Sequence, residues 1–397
     1  MMVEKYRFSS KIIKFLAWII DFFGYSFFGL LSMFGMYKYN GQIKTKNAGK
    51  MLVVRLDDVG DVVLATPFIR ALKENFPESK IDMLVKNSTK KILANDPHLR
   101  RVISFEPFWM RTKKAFGFAK TLKFINSLRK EKYDIIFDLR GNPFNILLMF
   151  FIGGKYRVSY NSQGMGFLLT HCVKETELKH SAERNFNILR SISLKVKSKQ
   201  PKVYLSERDR KFADLFLIKN GIKNGDFIVG VHAGASWRPR IWPKERFAEA
   251  IGRLVQKYNA KIILFGSKDE QELVKSIICL AGKESYDSIA NACGKTNLTQ
   301  LAALLSKCSL FIGNDSGPMH IASSLRIPMI ALFGSQSPEI FGPYQNKNAI
   351  SIYKQEECSP CIQKLNCGCA KGFDVCRGML KIKVTDLLNA VRRKAGR

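Results

Sequence analysis

Short apolar runs alternate with helical stretches along most of this chain. Residues 51–55, 81–85, 102–105 and 134–138 read as strands, with helical segments over 67–75 and 115–131 between them. The alternation resumes at Phe227, with strands over 228–232, 261–265, 310–313 and 328–333. Strands separated by helices define parallel α/β lobes. The polar, lysine-rich stretch 195–225 holds a helix but few core positions, so it divides one lobe from the next. The pattern predicts a first lobe over 51–210, a second over 226–350, and a final segment, 351–397, with a helix over 384–394. A chain of 397 residues lets each lobe bury its own core.

The first fifty residues break this pattern. From Phe15 to Tyr37 the only charge is Asp21, with Lys11 and Lys14 before the run and Lys38 after it. Such a run is long enough to cross a bilayer. Yet Lys14, Ala17, Asp21, Gly24, Ser32 and Gly35 recur near the helical period, making a small or polar face opposite Phe15, Trp18, Ile19, Phe22 and Phe23. A helix lying in the membrane interface accounts for that face better than a span. Residues 1–50 are therefore expected to be a membrane-associating extension, and no small-residue cleavage site marks the run as a signal peptide.

Two turns carry candidate chemistry. The strand at 51–55 ends on Arg55 and leads into Asp57-Asp58-Val59-Gly60-Asp61 and a helical stretch. A turn at the carboxyl end of a parallel strand is where α/β folds place ligands and catalytic groups, and this one lacks the G-x-G-x-x-G spacing of dinucleotide binding. Crowding of three carboxylates favours a raised pKa on one of them, as a base requires. Asp57 and Asp58 can also be read as caps of a helix at Pro67. The second turn is Gly313-Asn314-Asp315-Ser316-Gly317-Pro318-Met319-His320. An apolar strand ends there and Pro318 suits the first turn of a helix, whose free N–H groups and positive dipole end would seat a phosphate beside His320. An ordinary capped helix with a satisfied histidine would show the same residues.

Charge narrows the partners. The net charge is +32, and only six of those charges fall in the first fifty residues, so the basicity is chain-wide. An anionic partner follows, either a membrane face or a phosphorylated glycolipid. No zinc-finger spacing, basic zipper region or other nucleic-acid motif is present, which disfavours nucleic acid.

The two turns belong to an ordered series. It includes Thr66-Pro67, His232-Ala233-Gly234-Ala235, Arg240-Ile241-Trp242-Pro243, Leu264-Phe265-Gly266-Ser267, Gly294-Lys295-Thr296, Leu332-Phe333-Gly334 and Cys358-Ser359-Pro360-Cys361. Over about residues 51–380 the chain thereby resembles glycosyltransferase family 9, the lipopolysaccharide heptosyltransferase family, whose members have the two-lobed GT-B fold. The resemblance implies an inverting transfer from a nucleotide sugar, with ADP-heptose the prior donor, to a lipopolysaccharide core or related anionic glycolipid at the cytoplasmic face of the inner membrane. It implies Asp61 as the base, with Arg55, Asp57 and Asp58 as accessory candidates. On the donor side it implies Gly234, Ala235, Ser236, Arg240, Asp315, Ser316, Gly317 and His320 around the diphosphate, Asp269 or Glu270 at the nucleoside, and Thr296 near the adenine. Ala235 departs from the hydroxyl residue common there, leaving Ser236 and Arg240 as substitutes. The helix over 384–394 is expected to pack back on the first lobe, as in the resembled fold. No Asp-x-Asp pair is placed to hold a divalent ion against the diphosphate, so transfer is expected to need no cofactor.

Five of the nine cysteines, Cys358, Cys361, Cys367, Cys369 and Cys376, fall in one short series that suits a structural zinc or a set of free thiols. Rival classes are an epimerase or dehydrogenase, which would need a dinucleotide fingerprint, another nucleotide-sugar transferase, and a noncatalytic membrane-bound binding protein, which would not need Asp61.

Overall fold

The computed structural model describes residues 11–34, 48–110, 117–177, 180–359, 361 and 376–395. Two six-stranded parallel sheets dominate it. Strands β1 (Lys50–Arg55), β2 (Lys80–Val85), β3 (Arg101–Ser104), β4 (Ile135–Asp138), β5 (Tyr156–Tyr160) and β6 (His171–Val173) form the first, in the order β3-β2-β1-β4-β5-β6. The second holds β7 (Ile228–His232), β8 (Lys261–Phe265), β9 (Ile289–Asn291), β10 (Leu310–Asn314), β11 (Met329–Phe333) and β12 (Ala349–Tyr353), ordered β12-β11-β10-β7-β8-β9. Counted from its own first strand, each sheet has the same doubly wound order, so each has a switch point between its first and fourth strands, β1/β4 and β7/β10. A crevice opens at the carboxyl ends of those strands, where both sequence turns lie.

The helices are α1 (Lys11–Met33), α2 (Val59–Asn75), α3 (Phe118–Arg129), α4 (Pro143–Ile152), α5 (Ser181–Ser191), α6 (Glu207–Lys219), α7 (Lys244–Tyr258), α8 (Gln271–Leu280), α9 (Leu298–Leu305), α10 (Gly317–Ser324), α11 (Pro338–Phe341), α12 (Arg377–Lys381) and α13 (Val384–Ala395). Helix α2 begins eight residues before Pro67, so Pro67 sits inside it, and Asp58 stands at the N-cap of α2 without a side-chain cap bond. Proline removes the N–H that would reach Val63, and the Thr66 hydroxyl donates to the Val63 carbonyl instead, at 2.8 Å. The helix continues because the freed carbonyl keeps a partner.

The largest hydrophobic core is continuous through both lobes, from Val53, Phe68, Phe137 and Phe186 to Ile263, Phe265, Phe311 and Met319. The bridge between the halves is α2 packed on α10. Helix α6, in the connection, leans toward the second lobe, where the Thr299 hydroxyl of α9 donates to Asp209 at 2.8 Å. Helix α13 does not return to the first lobe as expected. Leu387, Ala390 and Val391 bury against the second lobe with Trp242, Leu254 and Leu332, and the indole N–H of Trp242 donates to the Ile382 carbonyl at 3.0 Å just before α13. The chain thus closes the second core rather than strapping the two lobes together.

Helix α1 lies on the first lobe. Part of its small and polar face is turned to protein: Asp21 is buried and accepts the Met165 N–H at 2.7 Å, whereas Ser32 is exposed.

Candidate active site

Each switch point delivers its own charges. From the first lobe, Arg55 ends β1, Lys86 follows β2 and Arg140 follows β4. The Arg55 guanidinium is buried and donates to the Leu139 carbonyl at 2.8 Å and to Asp61 at 2.7 Å, with Asp57 Oδ2 3.0 Å from its Nε. Burial disfavours its charge, but Asp57, Asp61 and Asp138 outweigh burial and hold it protonated. Asp57 is held again by Arg140, while Asp58 turns outward to Lys86 at 2.9 Å. Asp61 is the most open of the two carboxylates on Arg55, with its side chain 40% exposed against 6% for Asp57. A base must reach a substrate hydroxyl, and Asp61 alone of that pair has the access. Behind them, fully buried Asp138 accepts from Asn145, the Gly141 N–H and Ser159, at 2.7 to 2.9 Å. Burial raises its pKa. Those bonds fix the turn that carries Arg140.

The second lobe answers with a chain of three loop ends. The side chain of Ser316, at the cap of α10, does not bond its own helix. Its hydroxyl lies 3.1 Å from His232 Nδ1, and His232 Nε2 lies 3.5 Å from Glu270 Oε2. Glu270 also accepts the Ser267 N–H at 2.6 Å. Burial works against its ionisation, yet His232 and Ser267 more than offset burial and bring its carboxyl down to about 2. A Cβ on Gly234 would collide with the Glu270 carboxylate, so any larger residue there would push that carboxylate away from its present place beside His232. Asn314 clamps the same loop, donating to the Ala233 carbonyl at 2.7 Å.

Asp315 and His320 are the members with unpaired buried atoms. Asp315 Oδ2 lies 3.3 Å from Arg240 Nε without hydrogen-bond alignment, and it is a buried oxygen with no hydrogen-bond partner. Burial raises its pKa to about 6, with Arg240 opposing and Asp61 adding. His320 is buried too, and burial, with His180 and Arg240, lowers it to about 3, so the ring is neutral. Its Nδ1 also has no partner. Buried orphan polar atoms are costly, and these two stand five residues apart at the start of α10. This turn abuts the other lobe: Gly60 of α2 lies so close to the His320 ring that a Cβ there would overlap it, and a Cβ on Gly317 would come 3.0 Å from Val59. The N-termini of α2 and α10 therefore meet, with Asp61 on one side and Asp315 on the other.

A cleft of about 910 Å³ runs from Arg55, Asp57, Asp58, Asp61, Lys86 and Arg140 past Glu175, His180 and Arg184 to Ile340 and Phe341. The sequence reading named no role for Lys86, Arg140, His180, Arg184 or His232. Position after a parallel strand could have signalled Lys86, Arg140 and His232; His180 and Arg184 come from α5 and its approach, which carry no such mark. Of the donor-side candidates, Glu270 points into the His232 chain and Asp269 is exposed. Ser236 is exposed, Ala235 half-buried, and Arg240 lies over the Trp237 ring at 5.8 Å. Thr296 is half-buried just before α9, whose cap is Asn297. Cys367 and Cys369 lie outside the described residues. Cys358 is exposed and Cys376 buried, and among the described residues no group of histidine, cysteine and carboxylate is assembled to hold a metal.

Two facing Rossmann-like lobes that meet at their switch points define the GT-B class of glycosyltransferases. Within that class, the sequence model of glycosyltransferase family 9 (heptosyltransferase) matches residues 121–369. The chain belongs to that family and is a glycosyltransferase. Its relatives are lipopolysaccharide heptosyltransferases. It is 30% identical to lipooligosaccharide heptosyltransferase 2 of Campylobacter jejuni over 310 residues, covering 77% of this chain and 88% of that one. It is 29% identical to lipopolysaccharide heptosyltransferase 3 of Escherichia coli, over 74% and 85% of the two chains. The fold matches E. coli ADP-heptose lipopolysaccharide heptosyltransferase II with a TM-score of 0.71 at 21% identity, over 87% of this chain and 98% of that one. A family 9 glycosyltransferase of Veillonella parvula gives 0.73 at 23% identity, over 87% and 97%.

Proposed function

We propose that this chain transfers heptose from ADP-L-glycero-β-D-manno-heptose to a lipopolysaccharide core or related glycolipid, with inversion and with Asp61 as the base. The observation that carries the reading is the meeting of α2 and α10, which sets an accessible carboxylate of one lobe opposite the orphaned Asp315 and His320 of the other. In this reading Asp61 takes the acceptor hydroxyl proton while the hydroxyl oxygen attacks the anomeric carbon, and the diphosphate departs toward the N-terminus of α10. Arg55 orients Asp61 and Arg140 fixes Asp57. The chain Glu270–His232–Ser316 holds the donor loops, and Asp315 and His320 spend their free atoms on the sugar diphosphate. Gly234, Ala235, Ser236 and Arg240 approach the phosphates, Gly317 offers backbone N–H, and Glu270 rather than Asp269 faces the nucleoside, with Thr296 beside it. ADP-heptose appears in the names of structural neighbours, which favours that donor.

The enzyme is proposed to work at the cytoplasmic face of the inner membrane, as a peripheral or monotopic protein with an anionic glycolipid acceptor. Replacement of Asp61 by Asn is expected to cut kcat by at least about a thousandfold while ADP binding, measured calorimetrically, is unchanged. Retained turnover would remove Asp61 from the base role. A thermal-shift panel of nucleotide sugars is expected to show the largest rise with ADP-heptose, and a larger rise with another nucleotide sugar would reassign the donor. Since helix N–H groups and Arg240 are proposed to carry the leaving-group charge, chelation is expected to leave turnover intact. Loss of turnover in folded protein, restored by a divalent cation, would show metal dependence.

A further inference from the structure

The face of the first lobe that carries α1 is apolar well beyond that helix. The inner side of α1 is already used: Asp21 holds Met165, Gly24 lies against the Phe167 ring, and Phe28 meets Phe167 at a centroid distance of 5.5 Å. The outer side exposes Phe15, Leu16, Ile20, Phe23 and Phe27. An apolar crevice then joins Ile13, Leu16 and Ile20 to Pro143, where α4 begins. Phe144 next to it is half exposed and stacks on Trp109 at 5.8 Å, and the neighbouring Phe108 meets Phe118 of α3 at 5.5 Å. At the other end of α4, Phe151 is half exposed beside Phe150, which packs on Phe28 at 6.0 Å. Water-facing surfaces rarely hold one contiguous apolar tract of this extent.

Its border is basic. Lys120 and Lys123 project from α3 between and beside Phe118 and Leu122, all exposed. At the far ends of α3 and α4, a cavity is lined by Arg129, Lys130, Lys132 and Lys155. Aromatic side chains rimmed by lysine and arginine match the interface of a bilayer containing anionic lipid.

We propose that α1, α4 and the Phe108–Phe118 corner form one platform that enters a single leaflet of an anionic bilayer, with α1 lying in the membrane plane. A spanning α1 would have to leave the lobe, exposing the Asp21 carboxylate to hydrocarbon and orphaning the Met165 N–H. The platform also aims the cleft. Arg140 precedes Phe144 by four residues, at most about 14 Å of extended chain, so the Arg140 wall of the cleft lies close to the leaflet. An acceptor with a lipid anchor can present its sugar to Asp61 without leaving the membrane. That last step rests on the proposed function; the platform itself does not.

The test is flotation of the full-length protein with vesicles of phosphatidylethanolamine and phosphatidylglycerol. Wild type is expected to float, and the combined F118S, F144S and F151S variant to float at least about tenfold less with an unchanged melting temperature. Equal flotation of the two proteins overturns the platform. The variant K120E/K123E, which disturbs no core residue, is expected to float less with these vesicles and no less with phosphatidylcholine; an unchanged result with the anionic vesicles overturns the choice of lipid. A protease-cleavable tag fused before residue 1 is expected to be removed from outside sealed vesicles, on the side of the catalytic lobes, and protection of the tag overturns the in-plane placement. Flotation needs no sugar donor, so a failed transfer assay bears on the function alone. Where transfer succeeds, the triple variant is expected to raise KM for a vesicle-embedded acceptor and leave kcat on a delipidated acceptor unchanged.

Discussion

Asp315 carries its burial into its titration. Its carboxyl is buried, its Oδ2 accepts no hydrogen bond, and burial raises it to about 6 from the ordinary 3.8. The folded state therefore holds the proton more tightly than the unfolded state does, and the stabilisation is complete below pH 3.8 and lost as pH rises through about 6. An asparagine cannot ionise. The unfolding free energy of Asp315→Asn minus that of wild type is expected to rise between about pH 4 and pH 6 and then level off, by at most about 3 kcal/mol. Chemical denaturation at several pH values reads this difference, and a flat difference would show that Arg240 neutralises Asp315 more completely than their 3.3 Å misaligned pair suggests. At this scale the sequence was informative about residue type and silent about partners. Asp315, Ser316 and His320 were evident as a turn and helix start, but nothing in their spacing shows that Ser316 bonds His232 instead of its own helix.

Between elements, the decisive contact is α2 on α10. Each helix start was legible by itself, because a strand, a polar turn and an apolar helical run leave a local signature. Their contact joins positions far apart in one chain, and no local pattern encodes that. Gly60 is the point where it can be tested. A methyl there overlaps the His320 ring, so one of the two must move. Gly60→Ala is expected to destabilise the protein by about 1–3 kcal/mol and to lower transfer. His320→Ala added to it is expected to restore most of the stability, leaving a strongly non-additive double-mutant cycle. Additive effects would mean that α2 and α10 separate freely in solution. Other elements escaped the sequence for physical reasons. In β5 the buried Arg157 gives its guanidinium to the Leu168 and Gly154 carbonyls, at 2.8 and 2.7 Å, so a core strand carries a charge and reads as polar. Strand β9 has only three residues, and β12 is half-buried along its length at the sheet edge. The placement of α13 was misjudged because its apolar stripe fits either lobe equally as sequence, and only its partners Trp242 and Leu332 decide the matter.

Over the whole molecule, the lobes are separate as sheets and joined as a core. Two lobes with independent cores would unfold in two steps, each with its own heat capacity change. Here one set of buried side chains runs from Val53 and Phe68 through Met319 and Ile321 of α10 to Phe311 and Phe265, and the two helices at its middle carry the facing halves of the candidate site. Melting one lobe exposes the α2–α10 seam and so removes part of the other lobe's core. A single calorimetric transition is expected, with calorimetric and van't Hoff enthalpies agreeing to within about a fifth. ADP is expected to raise that one midpoint as a unit, because the loops it would occupy are anchored in the shared core. Two resolved transitions, only the second-lobe one moving with ADP, would show that the seam contributes little and that the lobes hinge independently about it. The seam would then be a gate that donor binding closes, and Gly60→Ala would act on KM for the acceptor more than on stability.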